Sequence, residues 1–390
     1  MVRKIGRWCL AMALAGAASL SAAGRLNAAT IKVDGVAVNN KVLARGLNYL
    51  VKHQEPNGSW LGEVGPAVTA MAVKALVQGG LPMSSPAVAR GMKFIESTRE
   101  PDGGFYVHNL LQNYNTAIVL STLSALPGDA YKGQIKAAQK YLISLQYKTG
   151  SKTAKGKTIT KNSSWYGGVG YSNGRPDLSN TGFFIQALHD SGIPASNPAM
   201  KRALVFVTHC QANSETNPLP WAKGRNGGGF IYTPANGGGS DFGDHDTLKG
   251  ASHAKGSLNS EWTTYGTMTY TGLKSMVYAG LTAKDPRVKA AMMWIRDHWT
   301  LQANPGTGGS RMGLFYYYLM FARTFKALNV NTITDVNGIK HHWKHELYVT
   351  LKSLQRKDGS WKNIWANRWL EGNPDLVTAY SCIALEAAGK

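Results

Sequence analysis

Apolar positions along this chain alternate between two kinds of segment. One kind keeps charge at helical spacing, as at Lys41 and Arg45 or Lys136 and Lys140; the other is apolar on more than one face, as in Ala117–Ile118–Val119–Leu120 and Phe183–Phe184–Ile185. The first pattern is that of a helix with a solvated face, the second that of a helix buried all round. Between them recurs a polar turn with Gly and an aromatic residue, usually preceded by Gln. The copies centre on Gln54…Gly58–Ser59–Trp60, Gly103–Gly104–Phe105, Gln146…Trp165–Tyr166–Gly167, Gln211…Gly229–Phe230, Gln302…Gly308–Gly309 and Gln355…Gly359–Ser360–Trp361. Six copies of a two-helix unit predict twelve helices.

Buried helices surrounded by charged ones predict an all-α fold, an (α/α)6 toroid of six two-helix repeats. An open solenoid has the same periodicity, but its concave helices would be more polar. The turn chemistry has a physical reason. A helix ending at Gln leaves unpaired carbonyls, Asp-Gly or Asn-Gly reverses the chain with Gly at positive φ, and the aromatic ring fills the gap between neighbouring outer helices. Trp60 and Trp361 are therefore expected to be scaffold.

Composition narrows the class. The 390 residues carry 43 Lys+Arg against 22 Asp+Glu, a formal charge of +21, with 43% hydrophobic residues and three cysteines. Disordered, collagen-like and disulfide-stapled chains are excluded. Residues 1–29 read as a signal peptide: Arg3, Lys4 and Arg7, an apolar run from Leu10 to Leu20, then small residues. An uncleaved N-terminal anchor is the other reading of that run. Its removal deletes four basic residues (Arg3, Lys4, Arg7, Arg25) and no acids, lowering the charge from +21 to +17. The remaining 30–390 is expected to be one toroid with inserts near 148–163 and 212–260, exported to the periplasm or beyond, monomeric, with no further transmembrane segment. Such a basic protein could meet anionic glycans or lipid head groups; nothing resembles a nucleic-acid recognition motif. Cys210 and Cys382 are expected as buried thiols, although export would permit a bridge.

Gln54 through Trp60 and Gln355 through Trp361 resemble the QW motif of the squalene–hopene cyclase and prenyltransferase β-subunit repeat superfamily, and the resemblance covers nearly all of residues 30–390. It implies an α/α toroid with its site in the central cavity; catalytic members are triterpene cyclases, class II diterpene cyclases and protein prenyltransferase β subunits. The catalytic motifs do not carry over. The cyclase acid motif Asp-x-Asp-Asp is missing, its nearest approach being Asp241-Phe-Gly-Asp244-His-Asp246, and neither Cys210 nor Cys382 sits in the Asp-x-Cys pair of the prenyltransferase zinc site. Either the chemistry differs or there is none.

Asp241, Asp244 and Asp246 are the densest acidic cluster and the candidate catalytic carboxylates. Such a cluster could serve as general acid or base or hold Ca2+; it could also be a solvated loop tip. Lys148, Lys152, Lys155, Lys157 and Lys161 would steer an anion or only solubilise a loop. His341 and His345, spaced to share a helix face, lack a third ligand, so no metal site is assigned, and no cofactor is identified. The starts of the buried helices should meet at one rim with their positive dipole ends, which nominates Tyr114, Asp177, Glu261, Trp262, Tyr265, Tyr317 and Asp375 as cavity residues. Asp177 and Asp375 are read first as helix-start residues favoured by the dipole.

The function these observations point to is a cavity protein for a small-molecule ligand, an isoprenoid by resemblance. The alternatives are a toroidal enzyme acting on an anionic polysaccharide, suggested by charge and export, and a non-catalytic binding scaffold.

Overall fold

The computed structural model describes residues 30–153, 155–236 and 264–389. Among them are twelve α-helices. Six form an inner ring: α2 (Ala67–Gln78), α4 (Gln112–Leu123), α6 (Leu178–Asp190), α8 (Gly266–Tyr278), α10 (Leu314–Ala327) and α12 (Pro374–Ala387). The other six lie outside: α1 (Lys41–Lys52), α3 (Pro86–Ser97), α5 (Lys132–Leu145), α7 (Pro198–His209), α9 (Pro286–Asp297) and α11 (Trp343–Leu354). Each inner helix packs on the next, and α12 returns to α2. The ring is closed, an arrangement that lets its largely apolar inner helices bury every face. Two short antiparallel hairpins, β1 (Ile31–Val33) with β2 (Val36–Val38) and β3 (Ile333–Thr334) with β4 (Lys340–His341), decorate it. No helix among the described residues is long and apolar enough to cross a membrane.

The helices begin where local chemistry allows. Asn40, Asp177, Asn197, Asp285 and Asn373 accept backbone N–H bonds from the first turns of α1, α6, α7, α9 and α12. Proline opens α3, α7, α9 and α12, where its missing N–H costs no bond.

The Gln turns lock neighbouring outer helices. Gln54 Nε2 donates to Gly58 O in its own turn and to Ala87 O on α3, both at 2.8 Å. Gln146 repeats this with Gly167 and Ala199, and Gln211 with Gly228 and Arg287. Gln355 closes the circle, donating at 2.9 Å to Gly359 O and to Val42 O on α1. Trp60 and Trp361 are fully buried, their indole N–H groups bonded to Leu50 O and Leu351 O. Both are scaffold.

A further repeated contact has no signature in the turn itself. Thr69, Thr116, Thr181, Thr269 and Thr378 on the inner helices accept the backbone N–H of Trp60, Phe105, Val169, Phe230 and Trp361. Each hydroxyl ties the end of a turn to the inner ring.

Two sequence expectations need correction. Gln302 is exposed and makes no clasp; the α9–α11 seam is held instead by Trp299 Nε1 donating to Glu346 at 3.2 Å and by Arg296 Nε donating to Thr334 O at 2.6 Å. His341 and His345 do not share a helix, because α11 starts only at Trp343. His341 lies on β4 and bridges Glu346 and Asp335. Cys210 and Cys382 are buried free thiols.

Candidate functional site

All six inner helices run the same way, so their first turns meet at one pole. They enclose a cavity of about 250 Å3 whose walls include Val68, Tyr114, Ser179, Phe183, Met268, Tyr316 and Tyr380 from the helices and Tyr171, Tyr232, Tyr265 and Trp369 from the loops before them. No Asp, Glu, Lys, Arg or His is among the described lining residues.

The rings are packed against one another. Tyr114 stands edge-on to Phe183 at 5.3 Å between centroids; Phe183 stacks on Tyr316 at 5.8 Å, and Tyr316 meets Tyr380 at 5.9 Å. Tyr316 and Ser179 hydroxyls share a 2.9 Å hydrogen bond. Burial pushes the phenols of Tyr114, Tyr316 and Tyr380 upward, so they are neutral at any working pH. The cavity offers π faces and neutral hydroxyls. Such walls hold an apolar chain and can stabilise passing positive charge.

The expected site residues separate accordingly. Tyr114 and Tyr265 line the cavity. Tyr317 does not: it is fully buried on the other side of α10, its hydroxyl donating to Thr300 O at 2.7 Å, and its neighbour Tyr316 faces inward. One residue is 100° of helix, enough to change layers. Asp177 is buried as the N-cap of α6, accepting from Asn180 N at 2.7 Å and Asn180 Nδ2 at 2.8 Å. Asp375 sits in the first turn of α12, its carboxyl pushed up by burial against the pull of Tyr49 on α1, and does not line the cavity. Asp241, Asp244, Asp246, Glu261 and Trp262 lie outside the described residues.

One carboxyl at this pole escaped sequence reasoning. Glu371 is 1% exposed and caps α10, accepting Tyr316 N at 2.7 Å and Asn363 Nδ2 at 2.6 Å. Burial pushes it up to about 7 from 4.5, against those hydrogen bonds. Its only signal in the sequence is an acid just ahead of the Asn373–Pro374 helix start. Between pH 4.5 and 7 the folded chain keeps this proton and the unfolded chain does not, so stability falls as pH rises through that window, by about 3 kcal/mol. Comparing the pH dependence of urea unfolding for the wild type and Glu371→Gln checks this. The variant is expected to flatten the curve between pH 4.5 and 7, and identical slopes would refute it.

Sequence comparison places the chain. The profile of the squalene–hopene cyclase C-terminal domain matches residues 11–105 and 64–230, together more than half of the chain. The chain belongs to the squalene–hopene cyclase-like superfamily. Solved structures agree in fold. A single-substitution variant of type II terpene cyclase MstE from Scytonema, in complex with the product merosterolic acid A, is similar at 14% identity and TM-score 0.50 over 89% of this chain and 96% of that one. A variant of MstE bound to its substrate geranylgeranyl dihydroxybenzoate is similar at 14% identity and TM-score 0.51, over 89% and 96%. A protein from Actinoplanes is similar at 15% identity and TM-score 0.51, over 90% and 99%. No curated protein matches the chain. Superfamily membership rests on the profile; the structures show that the toroid is shared.

Proposed function

We propose that this protein binds an isoprenoid in the aromatic cavity, as an exported member of the superfamily. The observation that carries this reading is the wall of Tyr114, Phe183, Tyr316 and Tyr380, uncharged and half enclosed, at the N-terminal pole of a terpene-cyclase-like ring. The bound ligand of MstE, an isoprenoid-derived molecule, is in keeping with it. At about 250 Å3 the cavity is slightly below the usual range of roughly 300–1,000 Å3 for small-molecule sites. That size favours a short prenyl chain over squalene.

Cyclisation would need an acid, and we assign it to the Asp241, Asp244 and Asp246 segment. Tyr232 and Tyr265, the cavity residues that flank this segment in sequence, support the assignment. The experiment is to titrate geranylgeraniol and squalene against the protein while following tyrosine fluorescence, then to analyse products by mass spectrometry. Saturable binding of the shorter chain by wild type and by an Asp241→Ala/Asp244→Ala/Asp246→Ala variant, with product from wild type alone, is expected. Binding without product from either would leave a binding protein; no binding of either lipid would end the proposal.

A further inference from the structure

The six inner helices end at the opposite pole, and that end is built differently. A second cavity of about 380 Å3 is lined by Lys74, Gln186, Asp190, Arg323 and Lys326 among others. Lys74 and Lys274 stand in inner helices that are otherwise apolar, and their exposures of 7% and 1% make them unusual for lysine.

Their partners do not balance them. Lys74 Nζ donates to Ser121 O at 3.1 Å and Ser121 Oγ at 2.9 Å, and lies 3.8 Å from Asp190 Oδ2. Lys274 Nζ donates to Gln186 Oε1 and lies 3.6 Å from Met320 Sδ, with no carboxylate at ion-pair distance among the described residues. Arg323 Nη1 donates to that same Gln186 oxygen at 3.3 Å, its one side-chain hydrogen bond among the described residues. The Lys326 side chain has none there. Asp190 Oδ2 is already engaged by Ser121 Oγ at 2.5 Å and Gln186 Nε2 at 3.4 Å, and both oxygens of Glu386 are buried without a hydrogen bond among the described residues.

Helix C-termini attract cations, which accounts for Lys74 on a last-turn carbonyl of α4. It does not account for Lys274 and Arg323 converging on one neutral amide, with guanidinium N–H groups left over beside an open cavity. We propose that this pole binds a phosphate-type oxyanion, held by Arg323, Lys74 and Lys326. The oxyanion would accept the unused guanidinium N–H groups and offset the repulsion among the cations.

Proton linkage follows from the groups that face the pocket. Burial first, then the Arg323 charge, pushes Lys74 down to about 8 and Lys274 well below its usual value. Burial opposes the charge on Asp190, but bonds from His189 and Ser121 and the charge of Lys74 prevail and hold it low. Burial pushes Glu386 well up, against the charges of Lys74, Lys326 and Arg323, and pushes Tyr278 up to about 12, so that phenol is neutral near pH 7, with His189 stacked on it at the rim. A bound anion favours protonated lysine, so binding takes up protons and weakens as pH rises through about 8.

Isothermal titration of the whole protein with sulfate, whose charge is constant over this range, tests the proposal at pH 7 and 9 in two buffers of different ionisation enthalpy. Saturable binding is expected at pH 7, about 10-fold weaker at pH 9, with proton uptake, and at least about 10-fold weaker in Arg323→Gln. If that variant does not fold, Lys326→Gln at its exposed position is expected to weaken binding a few-fold. Inorganic phosphate and geranyl diphosphate identify the source: equal affinities assign a free anion, tighter binding of the ester assigns a phosphorylated ligand. No saturable heat from any of the three, or unchanged affinity in a folded Arg323→Gln, overturns the site. Ser179→Phe, which fills the other cavity, is expected to leave sulfate binding unchanged, so failure of the isoprenoid reading and failure of this one are separable.

Discussion

Gly359→Ala is expected to destabilise the ring more than any other single-methyl change at its closing seam. Gly359 sits at φ +94°, and a Cβ there would lie 2.5 Å from Arg45 O on α1. That contact is with backbone, inside the turn that Gln355 bonds to Val42 O, so neither partner can rotate away. Left-handed strain of about 1–3 kcal/mol for a non-glycine residue adds to overpacking of about 1–3 kcal/mol, giving ~2–6 kcal/mol. Urea unfolding measures it. A loss below about 1 kcal/mol would mean that the turn does not hold the two helices against each other.

Ser179→Phe is expected to abolish prenyl binding. Ser179 opens onto the cavity from α6, and its hydroxyl bonds Tyr316 at 2.9 Å. A phenyl ring there would occupy much of a space of about 250 Å3, while the lost hydrogen bond costs only about 1 kcal/mol of stability. Affinity for geranylgeraniol should fall by at least about 100-fold, or about 2.7 kcal/mol. Undiminished affinity in a variant with the wild-type circular dichroism spectrum would place the ligand elsewhere.

How much of the candidate site was legible follows from how each residue is placed. Tyr114 and Tyr265 could be found because helix starts were expected to share a rim. Tyr316 and Tyr317 could not be told apart, since adjacent aromatic residues give no phase to an all-apolar helix. Glu371 was silent because a cap can come from any loop that reaches a helix start. Lys274 and Arg323 stand as charges in apolar helices, but their convergence on Gln186 joins three helices at a distance no local pattern encodes.

By itself the sequence determined the repeat, the inner and outer roles of its helices, the Gln-and-Trp turns and the resemblance to the cyclase superfamily. These are short-range facts, written in periodicity and in turn chemistry that each unit repeats. Only the tertiary structure decided that the ring closes, which ring faces line the aromatic pole, and that buried cations gather at the other. Those depend on residues far apart in the chain being brought to one axis, as Gln355 and Val42 are, and separation of that kind leaves no trace in local pattern.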